Sequence, residues 1–297
     1  MILNFENRSF VDLTAAELNL LHDRAKQAGW GAAEILLRMR QEGVEVGGAP
    51  DSPVTTADLA ANAHILQVLQ PLCPPDQVAY LTEETFKAQP PSDRLGKSWV
   101  WIIDPLDGTK DYLQNTGEYA VQIALTYQGR PVLAVVACPG MGKLYSAIAG
   151  AGTRVETQDG GVQSVQVSGK ARSQEMILLT SRNHRNARLE ALLQQWTLGG
   201  SKAVGSVGCK LAAIVEQSAD LYISLSGKSA PKDWDFAAPE LILTEAGGQI
   251  SQLDGSPLQY NREDVNQWGG ILASNGRCHA ELCQFAQLRL KEIDQTP

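Results

Sequence analysis

The sequence predicts a mixed α/β fold built of stacked helix and sheet layers. Strand-like and helix-like segments alternate along most of the 297 residues, 43% of which are hydrophobic. Three β-rich runs in the middle of the chain read as an antiparallel meander. No internal repeat, coiled coil or low-complexity tract competes with this layout. The length suits one large domain, or two smaller ones sharing an interface.

From Leu13, TAAELNLLHDRAKQAGWGAAEILLRMRQEG has helical periodicity, with Thr14 and Glu17 as a capping box and Gly43 as the stop. Gly47 to Ser52 reads as a loop. A second helix starts near Thr56 or Asp58 and runs to about Leu69, where Pro71 and Cys73-Pro74-Pro75 end it. Val78–Leu81 is a short strand leading into Thr82-Glu83-Glu84-Thr85. Trp99–Ile103 is a buried strand, expected to stop at Asp104-Pro105. The meander takes Ala120–Tyr127, Val132–Cys138 and Leu144–Ala149. The loop-rich stretch Gly150–Gly161 sets the expected boundary between an N-terminal α+β domain, 1–161, and a C-terminal α/β domain, 162–297. Beyond it lie a strand at Met176–Thr180, helices at Asn186–Leu193 and Lys210–Glu216, and a strand at Leu221–Leu225. A helix at Phe236–Ala246, ended by Gly247-Gly248, follows.

The formal charge is -8 and no dense Lys/Arg block exists to track a phosphate backbone, so a nucleic-acid partner is not expected. Local cations could still bring an anionic metabolite to an acidic protein. The five cysteines are scattered, odd in number and free of zinc spacing, which fits reduced thiols. With no basic leader and no apolar run of about 18 residues, the expectation is a cytoplasmic protein with no membrane partner.

The densest chemical feature is VWIIDPLDGTKDY, residues 100–112. A hydrophobic strand delivers Asp104, and Asp107 follows three residues later across a proline turn. Carboxylates at that spacing can hold a hard cation through oxygen, with the Leu106 carbonyl between them. Backbone N–H groups of Gly108 and Thr109 would favour an anion. By itself, P-L-D-G is also an ordinary turn and helix cap. Three more acidic segments tilt the balance: Glu83-Glu84 after a strand, Asp235 before an apolar helix, and Asp58 in SPVTTAD. Each alone reads more readily as surface charge or a helix cap.

In order, these segments resemble the inositol monophosphatase superfamily over nearly the whole chain. Glu83, Asp104-Pro105-Leu106-Asp107-Gly108-Thr109, Trp234-Asp235 and the upstream Asp58 stand at its signature positions. The resemblance implies the layered αβαβα sandwich of the sugar phosphatases, with the site between two domains and Asp235 supplied by the second. It implies a magnesium-dependent phosphomonoester hydrolase with two or three Mg2+ per site. Glu83, Asp104 and the Leu106 carbonyl would hold one ion and Asp104, Asp107 and Asp235 a second, with a weaker third near Glu83. A metal-activated water would attack, positioned by Thr109 and Asp58, while Gly108 and Thr109 amides hold the phosphate. A homodimer is compatible with the resemblance.

Specificity must come from other residues. LLTSRNHRN, 178–186, is similar to the segment at which bisphosphate nucleotidases receive their nucleotide, which would bring Ser181, Arg182 and His184 to the second phosphate or the base. Lys210 in GSVGCKL matches a lysine of that branch, though an exposed helix lysine is equally ordinary. GSKAVGS, 200–206, lacks the Lys-Ser/Thr of a P-loop. Ser224 stands near the place where inositol-directed relatives carry a glutamate, and Lys228 and Lys232 add positive charge ahead of Trp234. The expected substrate is therefore a small soluble phosphate ester, adenosine 3',5'-bisphosphate, cut to AMP and phosphate. Inositol phosphate or fructose 1,6-bisphosphate is the alternative within the same chemistry. A non-catalytic ligand-binding protein on the same fold is the alternative outside it.

Overall fold

The computed structural model describes residues 13–49, 52–183 and 186–295. Helix α1 (Ala15–Glu42) opens with the expected capping box: Glu17 N–H donates to Thr14 Oγ1, and Thr14 N–H donates back to the Glu17 carboxylate at 2.8 Å. The stretch expected as a loop is instead a hairpin of β1 (Val46–Ala49) and β2 (Ser52–Thr55). Its backbone pairs although β1 buries no side chain, so the alternating pattern that would reveal a strand is missing. Thr55 caps α2 (Thr56–Leu69), whose first turn carries Asp58.

The first large sheet runs in the order β3 (Val78–Thr82), β4 (Trp99–Asp107), β5 (Ala120–Tyr127), β6 (Arg130–Cys138), β7 (Lys143–Ile148), β8 (Thr153–Thr157), β9 (Val162–Val165). Only β3 and β4 pair parallel. The meander is longer than expected, because Gly150–Gly161 contains β8 and the turn into β9. Gly161 lies between two strands of this sheet, which continues to Val165.

β4 also continues past the expected stop at Asp104. Its register with β5 slips by one residue: Asp104 sits opposite Gln122, and Asp107 opposite Ala120. In a regular strand, residues three apart point to opposite faces. One extra residue at the Pro105 bulge turns Asp104 and Asp107 to the same face. That backbone irregularity is what creates the site.

After this sheet, β10 (Ile177–Ser181) leads to α4 (Ala187–Gln194), β11 (Gly200–Val204), α5 (Val207–Val215), β12 (Leu221–Leu225), α6 (Asp233–Glu245), β13 (Gln249–Gln252), β14 (Gly270–Ser274) and α7 (His279–Gln295). The strands form a second sheet in the order β11-β10-β12-β14-β13, parallel among the first three and antiparallel beyond. β11 was not expected: its central residues are exposed, and Gly200 and Lys202 are weak strand formers. Helices α5 and α6 each start three residues earlier than the sequence pattern suggests.

Alternate residues explain the layers. Trp101, Ile103, Val121, Ile123 and Val135 face α1 and α2 in one core. Val100, Ile102, Ala124, Ala134 and Val136 face the other way, onto α5 and α6, which share that core with Tyr222, Ile271 and Ala273 of the second sheet. The far face of the second sheet, with Leu178, Leu221, Ile223 and Leu272, packs on α4 and α7. The result is an αβαβα stack. Asp104 and Asp107 point into its central helix layer.

Candidate active site

The ends of β3 and β4 and the start of α6 come within reach of one another. Thr82 of β3 lies beside Ile103 of β4, and Glu83 N–H donates to the Ile103 carbonyl at 3.2 Å, so Glu83 arrives next to Asp104. The N-terminal turn of α6 approaches from the other side. Trp234 packs on Phe86, ring centroids 5.4 Å apart, which ties the start of α6 to the turn after Glu83-Glu84. Asp233 steadies the same turn: its carboxylate accepts from Asn261 N–H and Gln267 Nε2, each at 2.7 Å. Asp235 is not the cap residue itself but lies inside the first turn, accepting Lys232 N–H at 2.6 Å.

Carboxylate oxygens of Asp104, Asp107 and Asp235 come within 4.8 Å of one another. Burial is the first cause of the high proton affinity here, and mutual repulsion the next. Asp107 is pushed up to about 7 by burial and by Asp235, and Glu83 up to about 8 by burial and then by Asp235. Asp104, fully buried, is raised well above the usual carboxylate range by burial, Glu83 and Asp107. An all-oxygen set that repels itself fits a hard divalent cation, which would relieve the repulsion without adding a proton. Gln122 Nε2 (2.5 Å) and Gly208 N–H (2.8 Å) both donate to one oxygen of Asp107, fixing its direction.

Beside the cluster, Gly108 caps the short helix α3 (Thr109–Leu113) with φ +91°. A Cβ there would meet Ser206 Cβ at 3.1 Å and the Glu118 carbonyl at 3.2 Å, so both the conformation and the close approach require glycine. The Thr109 hydroxyl sits 3.3 Å from the Leu106 carbonyl and 3.4 Å from Asp58 Oδ1. The other oxygen of Asp58 accepts the N–H and hydroxyl of Thr55, holding that buried carboxylate in the capping box of α2. Burial raises its proton affinity.

The profile of the inositol monophosphatase family matches residues 18–290. The chain belongs to that family. It is 35% identical over 217 residues, 72% of this chain and 82% of that protein, to the 3'(2'),5'-bisphosphate nucleotidase CysQ of Escherichia coli (strain K12). It is 34% identical over 242 residues to the 3'-phosphoadenosine 5'-phosphate phosphatase of Mycobacterium bovis, covering 78% of this chain and 81% of that one. Among solved structures, CysQ from Bacteroides thetaiotaomicron superposes with a TM-score of 0.72 at 27% identity, covering 87% of this chain and 98% of that one. The protein is accordingly a phosphatase with the layered fold of the inositol monophosphatases. The family is metal-dependent, and the acidic cluster could hold a metal ion. Among the described residues no helix is long and apolar enough to cross a membrane.

A cavity of about 380 Å³ opens off the acidic cluster of this family member, a size suited to a small ligand. Glu83, Asp104, Leu106, Asp107, Gly108, Thr109, Ser181, Lys210 and Asp235 all line it, so most site residues expected from sequence converge there. Asp58 does not line it but stands behind Thr109, in contact with its hydroxyl. His184 lies outside the described residues. Arg182 is turned to carboxylates, pairing with Asp111 and, at 2.7 Å, with Glu118. Lys210 is only 1% exposed, not the surface lysine that its helix position allowed. Its ammonium donates to the Gly205 and Ser206 carbonyls and stands 5.3 Å from the Tyr222 ring centre. Burial lowers its pKa, an effect opposed by the nearby Asp107 charge.

Sequence reasoning missed Asp111, Asn183, Gln122 and Tyr222. Asp111 follows a lysine in GTKDY and has the look of solvated helix charge. The others lie on strands or in a turn, where only tertiary contacts give them a role.

Proposed function

We propose that this phosphatase is a 3'(2'),5'-bisphosphate nucleotidase, converting adenosine 3',5'-bisphosphate to AMP and phosphate with magnesium as the cofactor. The carrying observation is the composition of the cavity. Beside the carboxylates it presents Lys110 and Lys232, suited to a second phosphate, with Lys210 buried behind them. Leu189, Val207, Tyr222 and Leu225 add apolar lining suited to a flat base. Ser224, also in the lining, offers a hydroxyl and not the carboxylate that would favour a polyol. The names of the Escherichia coli and Mycobacterium bovis relatives support the same reading.

Glu83, Asp104, Asp107, Asp235 and the Leu106 carbonyl would hold the ions. When bound, divalent cations neutralise phosphate charge and lower the pKa of water. The chain's own groups would do the rest. Gly108 and Thr109 N–H groups bind a phosphate oxygen at the start of α3. The Thr109 hydroxyl, aligned between Asp58 and the Leu106 carbonyl, accepts a hydrogen bond from the attacking water and passes its own towards Asp58. Attack in line on phosphorus forms the new P–O bond as the bond to the ester oxygen breaks. The attacking water gives up a proton, the leaving oxygen takes one from solvent to become the alcohol, and no covalent phosphoenzyme is formed. Asp235, which also lines the cavity, would face the substrate as well.

A side-by-side kinetic panel tests this function. With magnesium, kcat/KM should be highest for adenosine 3',5'-bisphosphate, ahead of inositol 1-phosphate and fructose 1,6-bisphosphate, and EDTA should abolish release. A higher kcat/KM on either alternative would overturn the nucleotidase reading.

A further inference from the structure

Three wall segments of the cavity come from distant parts of the chain: the phosphate-binding turn 108–111, the end of β10 at 181–183, and the start of α5 at 205–210. One buried carboxylate joins the first two. Asp111 accepts from Arg182 Nη1 and Thr116 Oγ1 on one oxygen, and from Asn183 Nδ2 at 2.8 Å on the other. Arg182 continues the chain of contacts to Glu118 at 2.7 Å, and Glu118 in turn accepts Gly205 N–H at 2.8 Å. The positive charge of Arg182 is therefore faced by two carboxylates and is poorly placed to serve as an independent charge for a phosphate dianion. Both of its Nη groups are engaged in holding the wall.

We propose that Asp111 is a positioning residue for selectivity: it clamps the Ser181–Asn183 wall against the phosphate-binding turn and so fits the cavity to a leaving group as large as a nucleotide. This deepens the nucleotidase reading and rests on it. The clamp follows from where Asp111 sits. It is two residues after Thr109 on the same short helix, so the wall is registered directly to the turn that holds the reacting phosphate. A small ester fills only the turn and makes no use of the wall. A nucleotide spans both. Loss of the clamp should therefore raise KM for the large substrate and leave the chemical step comparatively intact.

Asp111→Asn tests the clamp, because an amide keeps the size but turns an NH2 towards Asn183, donor against donor. KM for adenosine 3',5'-bisphosphate should rise about 10- to 100-fold, the effect of losing charge-assisted hydrogen bonds, with kcat within about threefold. Glycerol 2-phosphate should lose far less, so the selectivity ratio falls. The double variant Asp111→Asn, Asn183→Asp exchanges acceptor and donor across the contact and should restore most of that ratio. An equal loss on both substrates, a fall confined to kcat, or no rescue would overturn the proposal. Should Asp111→Asn not fold, Asn183→Ala removes the same contact from the other side, and an unchanged ratio there would refute the clamp. Wild-type preference for inositol 1-phosphate over the nucleotide would instead defeat the nucleotidase reading. The clamp would then be decided by the same ratio, taken between that ester and glycerol 2-phosphate.

Discussion

Replacing Asp235 by Asn should make the metal-free protein more stable and the enzyme nearly inactive. The amide oxygen can still accept Lys232 N–H, the 2.6 Å contact that starts α6, so the helix is not uncapped. What disappears is one negative charge from a set whose oxygens lie within 4.8 Å of one another. At that separation a pair of unit charges repels by about 3 kcal/mol at an effective dielectric of ~20. Proton uptake already relieves part of this, since Asp107 and Glu83 are pushed up to about 7 and about 8. The expected gain is therefore about 1–3 kcal/mol near pH ~8, or roughly 2–8 °C in melting temperature. The assay is a pair of thermal melts, in EDTA and in excess magnesium, with phosphate release measured alongside. Wild type should be the less stable protein in EDTA and should gain more from magnesium, because ion binding to the folded state alone is stabilising. Turnover of the variant should fall at least about 100-fold, consistent with a lost ligand to a catalytic ion. A variant that melts below wild type in EDTA, or that gains as much from magnesium, would refute the charge-repulsion argument.

Gly108→Ala puts a side chain on a residue at φ +91° and against Ser206 and Glu118. Urea unfolding should show a loss of about 1–3 kcal/mol, with a fall in kcat of more than tenfold as the Thr109 turn shifts; unaltered kcat would contradict the role of that turn. For pH dependence, His279 is buried with its ring nitrogens bonded to Ser251 and Ser274, each at 2.8 Å, and burial pushes it down to about 4 from 6.5. The unfolded chain takes up this proton first, so the contribution is complete above about pH 6.5 and is lost as pH falls through about 4. It is worth at most about 3 kcal/mol. His22, also lowered to about 4, adds to the same slope. His279→Asn should flatten the fall in urea stability between about pH 7 and pH 4.5, and an unchanged slope would sink the assignment.

The hydrophobic strands and capped helices were legible because period-2 and period-3.6 patterns report burial directly. The Thr14–Glu17 box and the strand at Leu221–Leu225 match the structure. The β1–β2 hairpin and β11 were not legible, since strands that bury little carry no pattern. In the site, the residues carried by long ordered motifs converge on one cavity, whereas Arg182 shows the limit of a local reading. An arginine in a polar segment suggests a phosphate partner. Whether its charge is available depends on Asp111 and Glu118, which lie 71 and 64 positions earlier in the sequence and are brought near by folding.

The bulge in β4 carries the deepest part of the reasoning. An Asp-x-x-Asp spacing is incompatible with two carboxylates on one face of a regular strand. The sequence suggests that the strand ends at Asp104-Pro105 because proline removes a donor and turns the chain. Proline at 105 cannot donate to the ladder, and the slip it marks costs one rung of pairing between β4 and β5. The return is geometric: both carboxylates enter the helix layer between the sheets, where α6 can bring Asp235. There α5 also reaches them, as Gly208 N–H donates to Asp107 and Gln122 donates from β5 to the same oxygen. Asp107 is thus held by both the sheet and the helix that begins beside the substrate cavity. Removing the Gln122 amide should consequently weaken magnesium binding, read as a higher magnesium concentration for half-maximal turnover, because Gly208 N–H alone would then fix the direction of that carboxylate.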